Sequence, residues 1–403
     1  MYMKKLLYLG IAALALASCD SEFYYVDGDG KFGGPDSYAA DAEVSGVTSP
    51  GGQGGGGIAG VLTAAEWNDL DNWNFWGGLM NGQDYTEMNL YWGLNTSGRF
   101  ACKVIDGAGA PVVGAKLELK SADGALVWTS RTDNEGKANL WAGVFGSAIQ
   151  IDPSAYTVSV DGVLQDGAPR LTSWSAATVD ENVFTLASAP ETGNVVDIAF
   201  IVDATGSMGD EINFLKKDLE SILTQVGQKQ TSRSIFTGTV FYRDTGDDYL
   251  TKTSPFTTDI SSTVDFVKEQ EAAGGDDWPE AVHTALEVTL KELQWNSNAY
   301  SKLAFMILDA PAHKDHQGVI ESLQRSMSKY SEEGIKIIPV FCSSHSKDCE
   351  FMCRQFAVLT GGTYVFLTDD SGVGNEHVVA SVGQYQVEKL NELIIRLIDK
   401  CIS

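Results

Sequence analysis

From residue 191 onward the chain alternates short runs that are apolar on both faces with longer stretches of helical period. The runs predict strands at 195–202, 235–242, 302–308, 335–341 and 363–367. The stretches predict helices near 208–226, 262–273, 279–293, 317–333, 350–360 and 384–400. Strands apolar on both faces belong in a parallel sheet with helices on both sides. The region 191–403 is therefore expected to be α/β, a doubly wound, mostly parallel sheet that folds by itself. The last helix carries Leu390, Leu393, Ile394, Leu397 and Ile398 on one side, which packs it on that sheet.

Residues 98–190 follow another rhythm. Val104-Ile105-Asp106-Gly107-Ala108-Gly109-Ala110-Pro111-Val112-Val113 reads as strand, turn, strand. Thr132-Asp133-Asn134-Glu135-Gly136 is a second turn, leading into Asn139-Leu140-Trp141. Short alternating strands at such spacing predict an all-β sandwich. Residues 61–97 are rich in rings: Trp67, Trp73, Phe75, Trp76, Tyr85, Tyr91 and Trp92. Such a segment is either a stacking platform for sugar or a collar that buries its rings, and large apolar rings favour the collar. Residues 19–60 contain Gly51-Gly52-Gln53-Gly54-Gly55-Gly56-Gly57, a composition that builds no core and suits a tether.

Chemistry gathers at the predicted strand ends. Asp203 closes the first α/β strand, and Thr205 and Ser207 follow at alternate positions. Asp309 closes the third strand in the same way. Between them lies Gly274-Gly275-Asp276-Asp277-Trp278-Pro279-Glu280, a glycine-rich acidic loop whose proline opens the next helix. Ligands bind open α/β sheets at the carboxyl ends of strands. Oxygen-only donors in three such loops suggest one hard divalent cation. Glu280 reads as a first-turn acid favoured by the helix dipole. Asp244, which follows Tyr242-Arg243, is expected behind the ligands, and His313 and His316 read as residues of a solvated loop.

The motif Asp203-Ala204-Thr205-Gly206-Ser207-Met208 resembles the Asp-x-Ser/Thr-x-Ser signature of the von Willebrand factor type A (vWA) domain. The resemblance continues through Phe241-Tyr242-Arg243-Asp244, the Gly-Gly-Asp-Asp-Trp-Pro-Glu loop, Leu308-Asp309-Ala310-Pro311 and Leu359-Thr360-Gly361-Gly362. It spans roughly residues 191 to 403 and implies a Rossmann-like vWA fold with a metal-ion-dependent adhesion site. The implied ligands are Asp203, Thr205, Ser207, Asp309 and, in the middle loop, Asp277 or its neighbour Asp276. Many members carry a threonine in that loop, so an acid there is a departure. The implied cation is Mg²⁺, with Mn²⁺ or Ca²⁺ as substitutes. It would keep a position open for a carboxylate of a protein ligand, in adhesion or scaffolding. Residues 98–190 resemble the carboxypeptidase-regulatory-like, immunoglobulin-type modules of bacterial surface proteins.

Length and charge narrow the setting. With 403 residues and 43% apolar content the chain can build two or three cores. A net charge of −26 makes nucleic acid a poor partner, since phosphate binding needs a basic face. Lys4 and Lys5, followed by an apolar stretch through Ala17, read as a secretory leader over residues 1–18. Leu16-Ala17-Ser18-Cys19 resembles a bacterial lipobox, with Cys19 as the lipid-bearing residue. The expected location is the cell envelope, anchored by lipid at the outer membrane or cell surface. Of the remaining cysteines, Cys342, Cys349 and Cys353 cluster and admit either a local disulfide or, with His345, a zinc site. Ser207 is flanked by Gly206 and Gly209, which does not make a nucleophile elbow. No general base is apparent, so an enzyme is not expected. A metal-dependent hydrolase or periplasmic assembly factor is the alternative. Carbohydrate ranks below protein as a ligand.

Overall fold

The structure, a computed structural model, describes residues 62–145, 150–176, 178–275, 278–342, 346–368 and 380–403. The leader, Cys19, the tether, Asp276, Asp277 and His345 lie outside the described residues.

The ring-rich segment opens with strand β1 (Thr63–Trp67) and continues as helices α1 (Trp73–Met80) and α2 (Gln83–Trp92). Trp73, Trp76, Tyr85 and Trp92 are buried, so these four rings have no free face on which a sugar could stack. Strands β2 (Arg99–Asp106), β3 (Lys116–Ser121), β4 (Leu126–Arg131), β5 (Lys137–Trp141), β6 (Tyr156–Val160), β7 (Val163–Leu164) and β8 (Asn182–Leu186) follow. They form a three-stranded sheet, β5-β2-β8, and a four-stranded sheet, β4-β3-β6-β7. The predicted turns are set by aspartate. Asp106 Oδ1 accepts from the N–H groups of Ala108 and Ala110, and Asp133 Oδ1 from those of Glu135 and Lys137.

The rest alternates strand and helix: β9 (Val195–Asp203), α3 (Gly209–Lys229), β10 (Ser234–Tyr242), β11 (Thr251–Thr257), α4 (Ile260–Lys268), α5 (Val282–Glu292), β12 (Ser301–Leu308), α6 (Val319–Glu333), β13 (Ile335–Phe341), α7 (Lys347–Thr360), β14 (Tyr364–Thr368), β15 (Glu388–Lys389) and α8 (Leu390–Ile402). The large sheet has eight strands in the order β11-β10-β9-β12-β13-β14-β1-β15. Its five central strands are parallel. Alternate residues of β12 serve opposite faces. Leu303, Phe305 and Ile307 join a core with α3 and α8, whereas Ala304, Met306 and Leu308 join another with α5, α6 and α7. That second core continues without a break into α1, α2 and both small sheets.

Besides the two-residue β15, two strands of the large sheet lie outside the sequence pattern. β11 is half-exposed and carries Pro255, which an antiparallel edge strand tolerates. β1 is the other. Thr63–Trp67 pairs with Thr368–Tyr364 of β14, and Thr63 and Ala64 pair with Lys389 and Glu388 of β15. The ring-rich segment is thus built into the α/β sheet. Behind β1, Arg354 of α7 is fully buried and forms a two-pronged ion pair with Asp69, Nη2–Oδ1 2.6 Å and Nε–Oδ2 2.9 Å. Cys102, Cys342, Cys349, Cys353 and Cys401 are free thiols, the first four buried, so the clustered three form no disulfide. Among the described residues no helix is long and apolar enough to cross a membrane.

Candidate functional site

β9 and β12 are parallel neighbours, so their carboxyl ends open on the same side. Asp203 ends β9 and Asp309 directly follows β12; both are buried. Asp203 Oδ1 accepts from the Thr205 backbone N–H at 2.9 Å and from the Thr205 hydroxyl at 2.7 Å. It caps no helix, since the residue before α3 is Met208. A short 3-10 turn, Gly206–Met208, leads into α3 and leaves Ser207 exposed. Ser207 lies near enough to Asp309 for its hydroxyl to lower the pKa of that carboxyl group. Asp203, Thr205 and Ser207 thus lie at the carboxyl end of β9, next to Asp309 at the end of β12.

Glu280 departs from the sequence reading. It is not in the first turn of α5, which begins at Val282 behind Ala281. Its backbone N–H donates to the Pro311 carbonyl at 2.8 Å, and it forms a parallel bridge with Ala312. This bond draws the glycine-rich loop against the loop that follows Asp309. The Glu280 side chain is buried, facing Thr205 across Gly275. A β-carbon on Gly275 would lie 2.8 Å from Glu280 Oε1 and 2.9 Å from Thr205 Cβ, at a φ of +74°. Only glycine lets the two acidic loops close this far. The long-range bridge that buries Glu280 leaves no trace in local sequence. The one local signal is the third acid in a loop that already holds two.

Electrostatics at the site is one-sided. Burial, then the charge of Asp309, pushes the Asp203 carboxyl up to about 7, against the pull of Thr205. Burial, then the charges of Asp203, Asp244, Asp309 and Asp247, pushes Glu280 up to about 9. Asp309 is also raised by burial, with Ser207 pulling the other way. Asp203 Oδ2, Asp309 Oδ1 and Glu280 Oε2 are buried oxygens without a hydrogen-bond partner of normal geometry. Buried polar atoms are ordinarily paired, so three such oxygens on acids that act on one another's charge are unusual. Clustered oxygen donors of like charge fit a hard divalent cation. Among the described residues no three His, Cys, Asp or Glu side chains already converge on a cation position. Asp277 and Asp276, the loop's other acids, lie outside that set.

His313 is not solvated as the sequence suggests. It is 4% exposed, and its Nε2 lies 2.7 Å from Asp244 Oδ1. The exposed His316 ring stacks on it with centroids 4.2 Å apart.

Comparison with known proteins places this arrangement. The chain is 33% identical over 119 residues to an ariadne-like RING finger protein of Acanthamoeba polyphaga mimivirus, covering 30% of this chain and 11% of that protein. It is 27% identical over 213 residues to the alpha-protein kinase vwkA of Dictyostelium discoideum, covering 52% and 33%. The chain thus spans a third or less of the length of either relative. Among solved structures, the pilus adhesin SpaC of Lactobacillus rhamnosus GG, in its open conformation, aligns with 10% identity and a TM-score of 0.36. That alignment covers 54% of this chain and 31% of the adhesin. Residues 197–368, which hold Asp203, Thr205, Ser207, Glu280 and Asp309, match the family model of the von Willebrand factor A domain, and the chain carries such a domain there.

Proposed function

We propose that the vWA domain binds a divalent cation, Mg²⁺ by preference, and uses it to engage a carboxylate of a protein ligand. The observation that carries this reading is the set of three buried, unpaired carboxylate oxygens on Asp203, Asp309 and Glu280. Asp203, Thr205, Ser207 and Asp309 would hold the ion, with Asp277 or Asp276 from the middle loop. Glu280 joins them as a further acid of the site. Magnesium suits a site with few protein oxygens, because water completes its octahedron. The role is binding rather than turnover. A vWA domain is consistent with adhesion or protein interaction at this level.

The two small sheets are proposed to form an immunoglobulin-like sandwich packed against the vWA domain. Cys19 is proposed to carry lipid and hold the protein at the cell envelope. Calorimetric titration of Mg²⁺ and Mn²⁺ into wild type and Asp203→Ala tests the central claim. Wild type should give saturable heat and the variant none; equal heats would sink it. Fractionation tests the anchor: Cys19→Ala should move the protein out of the membrane pellet.

A further inference from the structure

The turn after β10 supplies none of the proposed ligands, yet it is bonded to every loop that does. Arg243 is buried, and its Nε donates to the Ala204 carbonyl at 3.1 Å. Ala204 lies between Asp203 and Thr205. Arg243 Nη2 donates to the Glu271 carbonyl at 2.8 Å, at the start of the segment that runs to Glu280. The Tyr249 ring lies 4.3 Å from the guanidinium carbon. Asp247 accepts from the Gly275 N–H at 3.3 and 3.2 Å through its two oxygens, and from the Asp244 N–H at 3.1 Å. Asp244 completes the set by holding His313, on the loop that begins at Asp309.

We infer that Arg243, Asp244 and Asp247 are positioning residues of the metal centre. They brace three ligand-bearing loops that would otherwise be driven apart by their own carboxylates. The inference rests on the metal reading above. Groups behind the ligands fix ligand orientation and tune affinity without touching the ion. Arg243 suits this role because its planar fork reaches two backbone carbonyls on different loops at once.

The sign of the effect separates bracing from simple electrostatics. Arg243 is a cation beside a cation site. If only its field mattered, removing it would tighten metal binding. If it braces the loops, removing it loosens binding. For Asp244 the test is isosteric. An asparagine keeps an oxygen that accepts from His313 but loses the charge; an alanine loses both.

The experiment is calorimetric titration of the full chain with Mn²⁺, each variant first checked by thermal melting without metal. Arg243→Gln and Asp244→Ala should bind about 10–100-fold more weakly than wild type. Asp244→Asn should recover most of that loss. Unchanged or tighter binding by Arg243→Gln overturns the inference, as does Asp244→Asn falling as far as Asp244→Ala. If Arg243→Gln does not fold, the Asp244 pair decides alone. A wild type that takes up no Mn²⁺ overturns the metal reading itself, which is a different result from a wild type that binds and variants that match it.

Discussion

Asp203, Glu280 and Asp309 stand close together as acids with little to offset them, and this fixes how single substitutions should behave. Asp203→Ala should lose metal binding yet melt no lower than wild type without metal, because like-charge repulsion is relieved. Glu280→Gln should weaken Mg²⁺ binding by at least about tenfold, which calorimetry reads directly. That prediction depends on the bridge to Ala312, since a first-turn helix acid would leave affinity almost unchanged. Gly275→Ala should destabilise the chain by about 1–2 kcal/mol from backbone strain alone, measured in denaturant. It should also weaken metal binding, because its β-carbon pushes Glu280 from Thr205. The pH dependence follows from the raised carboxyls. A raised carboxyl favours the folded state while protonated, and that contribution is lost as pH rises through its folded value. Metal-free protein should therefore lose stability as pH climbs through about 7 and on toward about 9, the values of Asp203 and Glu280. Saturating Mg²⁺ should reverse the trend, and thermal melts at pH 5 and pH 9 with and without the ion would check it.

At the scale of elements, the strands and helices with strong period were legible in advance. β9, β12 and β13 were marked by strongly apolar runs, interrupted in β9 by Asp197 and in β13 by Lys336, and α8 by its one-sided leucines and isoleucines. The motif residues at the ends of β9 and β12 were legible for the same reason, since strand ends fix where loops meet. Three features were not. β11 is too polar to announce itself, β15 has only two residues, and β1 reads Thr-Ala-Ala-Glu-Trp, with nothing to say which sheet it joins. The sequence pattern places a boundary near residue 191, whereas the hydrogen bonds of β1 cross it. A piece comprising 191–403 lacks β1, which leaves β14 as a bare edge and β15 without a neighbour. Bare edges template aggregation. Residues 62–403 should elute as a soluble species in size-exclusion chromatography, and residues 191–403 should aggregate or melt at a clearly lower temperature. Arg354→Met should also be damaging, by about 3–5 kcal/mol, because it strands Asp69 as an unpaired buried charge.

At the scale of the whole molecule, one apolar core runs from the large sheet through α6 and α7 into the ring-rich segment and the small sheets. The docking is specific: Trp128 of β4 donates to the Ser331 hydroxyl on α6 at 2.9 Å, and Lys336 of β13 pairs with Asp133 at 2.7 Å. The vWA domain should therefore not swing freely against the small sheets, and limited proteolysis should cut slowly between β8 and β9. The position of β1 also bears on how the protein is made. Thr63 meets Thr368, 305 residues later. At ordinary rates of translation, roughly 15–60 s separate the synthesis of those two residues. During that interval the strand has left the ribosome and its neighbours do not yet exist. The sheet is completed last around β1, the first of its strands to be made, so long-range pairing sets the pace of maturation. Nascent chains stalled before β14 should depend heavily on chaperones, and a truncation there should be cleared from the cell rather than accumulate.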